Sequence, residues 1–191
     1  MLKRTQFTVG IVIILFILME TIYFTENPIS HWISIEFEKR TQYNIMRTTN
    51  SNDVKSRMRA LFDRDYDYIE LIFWVHDQLE FSDEKPKPVP KNPFDILELG
   101  RGKCGEFSIL YVSACLAHGY QARLVLILRG SNHEWAEVNI EGEWIHVDPT
   151  DPPNIHVNDP SMYAERNKKM YLIVAFESNS YEIVTRKYNP V

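Results

Sequence analysis

The chain is poor in cysteine. It has two, Cys104 and Cys115, and no CxxC pair, so a zinc site built from cysteines is excluded. On a single helix the two thiols would stand about 16 Å apart, far beyond disulfide reach. An excess of positive charge is missing as well. Twenty-one Lys and Arg face 26 Asp and Glu, for a net charge of −5 and a pI near 5.7. No basic patch with interleaved aromatics offsets this, which argues against a nucleic-acid binder. The short cluster of Arg166, Lys168 and Lys169 adjoins Glu165 and reads as a solvated face. No internal repeat is visible. What the chain does have is apolar mass: 45% hydrophobic and 13% aromatic residues over 191 positions. That suits one packed domain with an N-terminal appendage.

The appendage is a run without charge from Phe7 to Met19, interrupted by Glu20 and continued by TIYF to Phe24. Phe7 to Phe24 makes roughly eighteen residues, enough to span a bilayer if Glu20 lies near the interface. Lys3 and Arg4 would hold the N-terminus in the cytoplasm and leave the rest extracytoplasmic. No A-x-A-like cleavage site follows, which favours an uncleaved anchor over a removed signal. The expected organisation is a membrane anchor over 1–24, a connector over 25–52 opened by a Pro28 break, and a catalytic domain over 53–191.

In the third segment, DVKSRMRALF predicts a short helix. Asp67 to Leu79 predicts another, with Ile69, Ile72, Phe73, His76 and Leu79 on its apolar side. DEKPKPVPKNP is an extended loop, and Asp95–Leu99 a brief helical turn. The stretch opened by Cys104, apolar on most faces, predicts a central helix stopped by Gly119. Strands are expected at 122–128, 133–140, 143–149, 170–176 and 181–188. Helices first and strands later imply an α+β domain, an antiparallel sheet packed on the cysteine helix.

GRGKCGEFS sets Cys104 at a helix N-terminus, where the macrodipole and unpartnered N–H groups favour a thiolate and an oxyanion. Glu141-Gly142 is a hairpin turn signal. With those two as the loop, Ile140 pairs with Glu143 and Trp135 with Asp148. His133, Trp135 and Glu137 then share a face with Trp144, His146 and Asp148, and His133 lies diagonal to Asp148. Nucleophile, base and orienter are thus Cys104, His133 and Asp148. The Cys104 N–H is the evident oxyanion donor. Three residues are candidates for substrate contact: Trp74 as a second donor, against a core role; Glu106, against a first-turn dipole role; and Trp135, against packing. His31, His76, His118 and His156 show no ligand spacing and read as structural. No cofactor or metal is expected.

GRGKCGEFSILYVSACLAHGYQARLV, NHEWAEVNIEGEWIHVDP and KKMYLIVAFESNSYEIVTRKYN together resemble the transglutaminase-like superfamily of papain-related thiol enzymes, and within it the peptide:N-glycanase core. The resemblance covers roughly residues 55–188. It implies a transglutaminase-like, cysteine-protease-like fold with Cys104, His133 and Asp148 as its triad. Glycanases of this kind carry a CxxC-built zinc site and no membrane segment, and this chain departs from them on both counts. The implied activity is amide hydrolysis through a thioester, on a protein, peptide or glycopeptide substrate. Transfer to an amine, as in a transglutaminase, and a non-catalytic peptide- or surface-binding module are the alternatives.

Overall fold

From Cys104 to Ala117 the only charged side chain is Glu106. A helix so apolar on all sides needs neighbours all round. The computed structural model describes residues 28–84, 92–130, 133–150, 156–157 and 172–188 and supplies those neighbours. The chain divides into two compact units, Met1–Lys39 and Arg40–Val191.

The described part of the first unit is the opening of helix α1, Pro28–Thr49, with Trp32, Ile33 and Phe37 exposed. Within the span read as a connector, the chain is thus helical from Pro28 onward. Proline in a first helical turn forfeits no intrahelical bond and is tolerated there. Among the described residues no helix is long and apolar enough to cross a membrane, and the run Phe7–Phe24 lies outside them.

In the second unit follow α2 (Asn52–Arg59), α3 (Glu70–Gln78), β1 (Glu80–Phe81), α4 (Pro93–Leu99), β2 (Arg101–Gly102) and α5 (Cys104–Ala117). Then come β3 (Gln121–Arg129), β4 (Glu134–Ile140), β5 (Glu143–Asp148), β6 (His156–Val157), β7 (Leu172–Phe176), β8 (Tyr181–Ile183) and α6 (Thr185–Tyr188). Six strands form an antiparallel sheet in the order β6-β5-β4-β3-β7-β8. Helices α2, α3 and α4 pack on α5, which packs in turn on β3 and β4. Phe107 through Cys115 of α5 are all buried, joined by Leu124, Leu126, Ala136, Val138, Val147, Val174 and Phe176 from one face of the sheet. Each large aliphatic chain buried there contributes about 1.5–3 kcal/mol.

The other face is covered too. Val125, Ile127, Trp135, Ile173 and Ala175 pack with Val184 and Tyr188 in a second apolar cluster. This explains a difference at the C-terminus: the strand expected over 181–188 stops at Ile183 and becomes α6. Val184 and Tyr188, four residues apart, then point the same way, onto the sheet. Helix α3 begins at Glu70, not Asp67, because the Asp67 carboxylate accepts from the Ile69 and Glu70 N–H groups at 2.9 and 2.8 Å and caps the helix from outside. Its inward side chains are Leu71, Ile72 and Val75, and Phe73 is exposed.

The β4–β5 hairpin has the expected register, from Ile140↔Glu143 to Ala136↔Val147. Glu141 and Gly142 both take positive φ, 54° and 91°, the conformation of a two-residue turn whose twist matches the strands.

Candidate active site

The approach to Cys104 is built from short devices. β1 and β2 pair in parallel, with the Glu80 and Ser82 N–H groups donating to the Gly100 and Gly102 carbonyls at 2.9 Å each. The Glu106 carboxylate folds back to accept from the Lys103 N–H at 2.8 Å, half of a capping box. That return leaves no room at Gly102, where a Cβ would lie 2.3 Å from the Glu106 Cβ. Glu106 is thus placed as a cap at the positive end of α5. The first turn of the helix directs its N–H groups beside Cys104, which is half-buried.

His133 stands immediately before β4. Its Nε2 lies 2.8 Å from Asp148 Oδ2, while Asp148 Oδ1 accepts from the Thr150 N–H at 3.0 Å. Both carboxylate oxygens are occupied, so the group is held in orientation. The Cys104 side chain interacts with the same imidazole and helps to raise it. Burial works against a charge on His133. The hydrogen bond to Asp148, the interaction with Cys104 and their charges outweigh it and push the imidazole up to about 10. Cys115 is the opposite case. Buried beside Tyr111, its thiol is pushed up to about 12, chiefly by desolvation, and is inert.

The structure brings Cys104, His133 and Asp148 together. Trp74 packs on Phe62 at 4.5 Å, and Phe62 on His118 at 4.4 Å. His118 closes the C-terminal end of α5, about 21 Å along the helix from Cys104, and Trp74 packs against the core there. Trp135 is fully buried. It stacks beneath the His133 ring at 5.8 Å and against Tyr188 at 4.8 Å, serving as a floor for the imidazole. Trp144 receives the Arg123 guanidinium on its face at 4.0 Å.

Below that floor lies a cluster that sequence reasoning did not assemble. The fully buried Glu137 carboxylate accepts from Arg123 Nε and Lys187 Nζ at 2.6 Å each and from the Tyr188 hydroxyl at 2.7 Å. Burial pushes Glu137 up, but Arg123, Lys187 and Tyr188 prevail and hold it below the usual carboxylate range. The alternation that put Glu137 on the His133 face was the available signal. Its partners come from far along the chain. A cleft of about 1040 Å³, lined by Arg123, Gly142, Trp144, Glu182 and Lys187 among others, opens near the hairpin turn, at the opposite end of β4 from His133. Among the described residues no three His, Cys, Asp or Glu side chains are grouped to hold a metal.

The family model of the transglutaminase-like superfamily core matches residues 46–149, more than half of the chain, and the chain belongs to that superfamily. The similar curated proteins are peptide-N(4)-(N-acetyl-beta-glucosaminyl)asparagine amidases. That of Oryza sativa subsp. japonica is 33% identical over 101 residues, covering 51% of this chain and 22% of its own. The Homo sapiens protein is 25% identical over 181 residues, covering 91% of this chain and 25% of its own. That of Yarrowia lipolytica is 34% identical over 96 residues, covering 49% and 26%. The chain therefore spans about a quarter of the length of these relatives. Among solved structures, a chain of the Rad4/XPC nucleotide excision repair complex superposes with a TM-score of 0.62 at 13% identity, over 83% of this chain and 49% of that one. Rad4-Rad23 crosslinked to an undamaged DNA gives 0.61 at 12% identity, over 83% and 47%. At such identity the likeness is one of fold.

Proposed function

We propose that the chain is a cysteine-dependent amidase that cleaves peptide or side-chain amides, glycosylated asparagine included, through a thioester. The observation that carries this reading is a single imidazole held by Asp148 at 2.8 Å and interacting with a helix-start thiol. Amidase relatives that match across this region support it.

The proton of Cys104 passes to His133, giving a thiolate and an imidazolium, and Asp148 steadies the latter. The sulfur attacks the amide carbon, and the resulting oxyanion sits against the Cys104 N–H at the helix start. His133 returns its proton to the leaving nitrogen, the C–N bond breaks, and a thioester remains. Water then attacks the thioester carbon while His133 takes a proton from it. The carboxylic acid leaves and Cys104 is restored. From a substituted asparagine side chain the products are an aspartate and the released amine.

Incubation with a glycopeptide and with matched glutamine peptides, followed by mass spectrometry, tests the assignment. Cys104→Ala and His133→Ala are each expected to lower turnover by about 10³-fold or more. Amine incorporation in place of hydrolysis would redirect the reading to acyl transfer, and turnover unaffected by Cys104→Ala would end it. The uncharged run Phe7–Phe24 is proposed to anchor the chain with the catalytic unit outside the cytoplasm. Release of the protein from membranes by alkaline carbonate would refute the anchor.

A further inference from the structure

We propose that Ser108 is a positioning residue that sets the approach of Cys104 to His133, an inference that rests on the amidase reading above. The thiol and the imidazole belong to different elements, so their separation is decided where α5 meets the start of β4. His133 lies just before the strand ladder, and two successive carbonyls following its Cα are held. Its own carbonyl accepts from the Ile127 N–H at 3.1 Å. The next carbonyl, that of Glu134, accepts from the Ser108 hydroxyl at 3.1 Å. Ser108 is one turn beyond Cys104, on the same side of the helix. One hydrogen bond thereby joins the position a turn from the nucleophile to the position next to the base.

The bond stands out against its surroundings. Ser108 is fully buried and Glu134 nearly so, and a buried hydroxyl must find an acceptor or cost stability. The other serine of α5, Ser113, satisfies that need within its own helix, donating to the Ile109 carbonyl at 2.6 Å. Ser108 instead donates across to the sheet. At the same seam Gly105 is bare, and a Cβ there would stand 3.1 Å from Glu134 Oε2. Helix and strand thus close on each other at two points, both at Glu134, next to the reacting pair. Reactivity is steep in that geometry, since a misplacement of about 1 Å can cost about 10²-fold.

The test is alkylation of Cys104 by iodoacetamide in the full chain, followed by peptide mass spectrometry across pH, with melting temperature recorded alongside. Ser108→Ala is expected to lower the Cys104 rate on the acid side of the ordinary thiol range by about tenfold, and Ser108→Thr, which keeps a hydroxyl, to stay within about threefold of wild type. Ser113→Ala removes a comparable buried hydroxyl and is expected to leave the profile in place. A wild-type profile in Ser108→Ala, or an equal loss in Ser113→Ala, would overturn the positioning role while the amidase reading stood. If His133→Ala leaves wild-type reactivity unchanged, both fall.

Discussion

Asp148 spends one carboxylate oxygen on His133 and the other on the Thr150 N–H, so its replacement by asparagine separates orientation from charge. Asp148→Asn can keep an oxygen for Thr150 but lacks the negative charge that helps to raise the imidazole. The sign follows directly. The reactive form needs a protonated His133, whose proton is lost in the wild type only as pH rises through about 10. In Asp148→Asn that loss comes at lower pH, so the alkaline limb of kcat/KM is expected to move down while kcat/KM itself falls by about 10²–10⁴-fold. A limb that stays in place would show that another group holds the imidazolium. Gly102 offers a stability test at the same scale. Gly102→Ala forces a Cβ onto Glu106 and is expected to cost about 1–3 kcal/mol by chemical denaturation, through overpacking and loss of the cap.

Among the elements, α6 is short but shields much. Tyr188 packs on Trp135 at 4.8 Å and donates to Glu137 at 2.7 Å. Tyr188→Ala is expected to lose about 3–5 kcal/mol, and Tyr188→Phe about 1–2 kcal/mol, the difference separating ring packing from the hydroxyl. Equal losses would mean that the hydroxyl dominates. This element was the hardest to read. YEIVTRKY alternates like a strand, and nothing local says that Val184 and Tyr188 are needed as a roof for the second face of the sheet. The same roof covers Trp135: alternation put it beside His133 but could not show the cover that Tyr188 supplies. By contrast, the pairing of His133 with Asp148 was legible because a Glu-Gly turn leaves little freedom of register and side-chain alternation does the rest. Pro28 opens a helix for a different reason, since a residue that breaks a helix in mid-element is harmless at its start. Trp74 depended on which end of α5 it would meet, which no local pattern encodes.

At the scale of the whole molecule, two groups bend stability against pH from opposite sides. His133 is raised, so its contribution is fully present below the ordinary histidine value and is lost as pH climbs through about 10. Glu137 is depressed, so its contribution is present above the ordinary carboxylate value and is lost as pH falls through its lowered one. Thermal unfolding is expected to show a broad maximum between these limits, with the acid limb weakened in Glu137→Gln and the alkaline limb weakened in His133→Gln. A profile unchanged in both would remove these residues as its cause. A last consequence belongs to the two-residue pair β1–β2. Because the Glu80 and Ser82 N–H groups are bonded to the Gly100 and Gly102 carbonyls, the backbone at Glu80–Ser82 is tied to that at Gly100–Gly102. Gly102, two residues upstream of the nucleophile, therefore cannot shift without breaking its bond to Ser82, and the lead-in to the thiol keeps its aim.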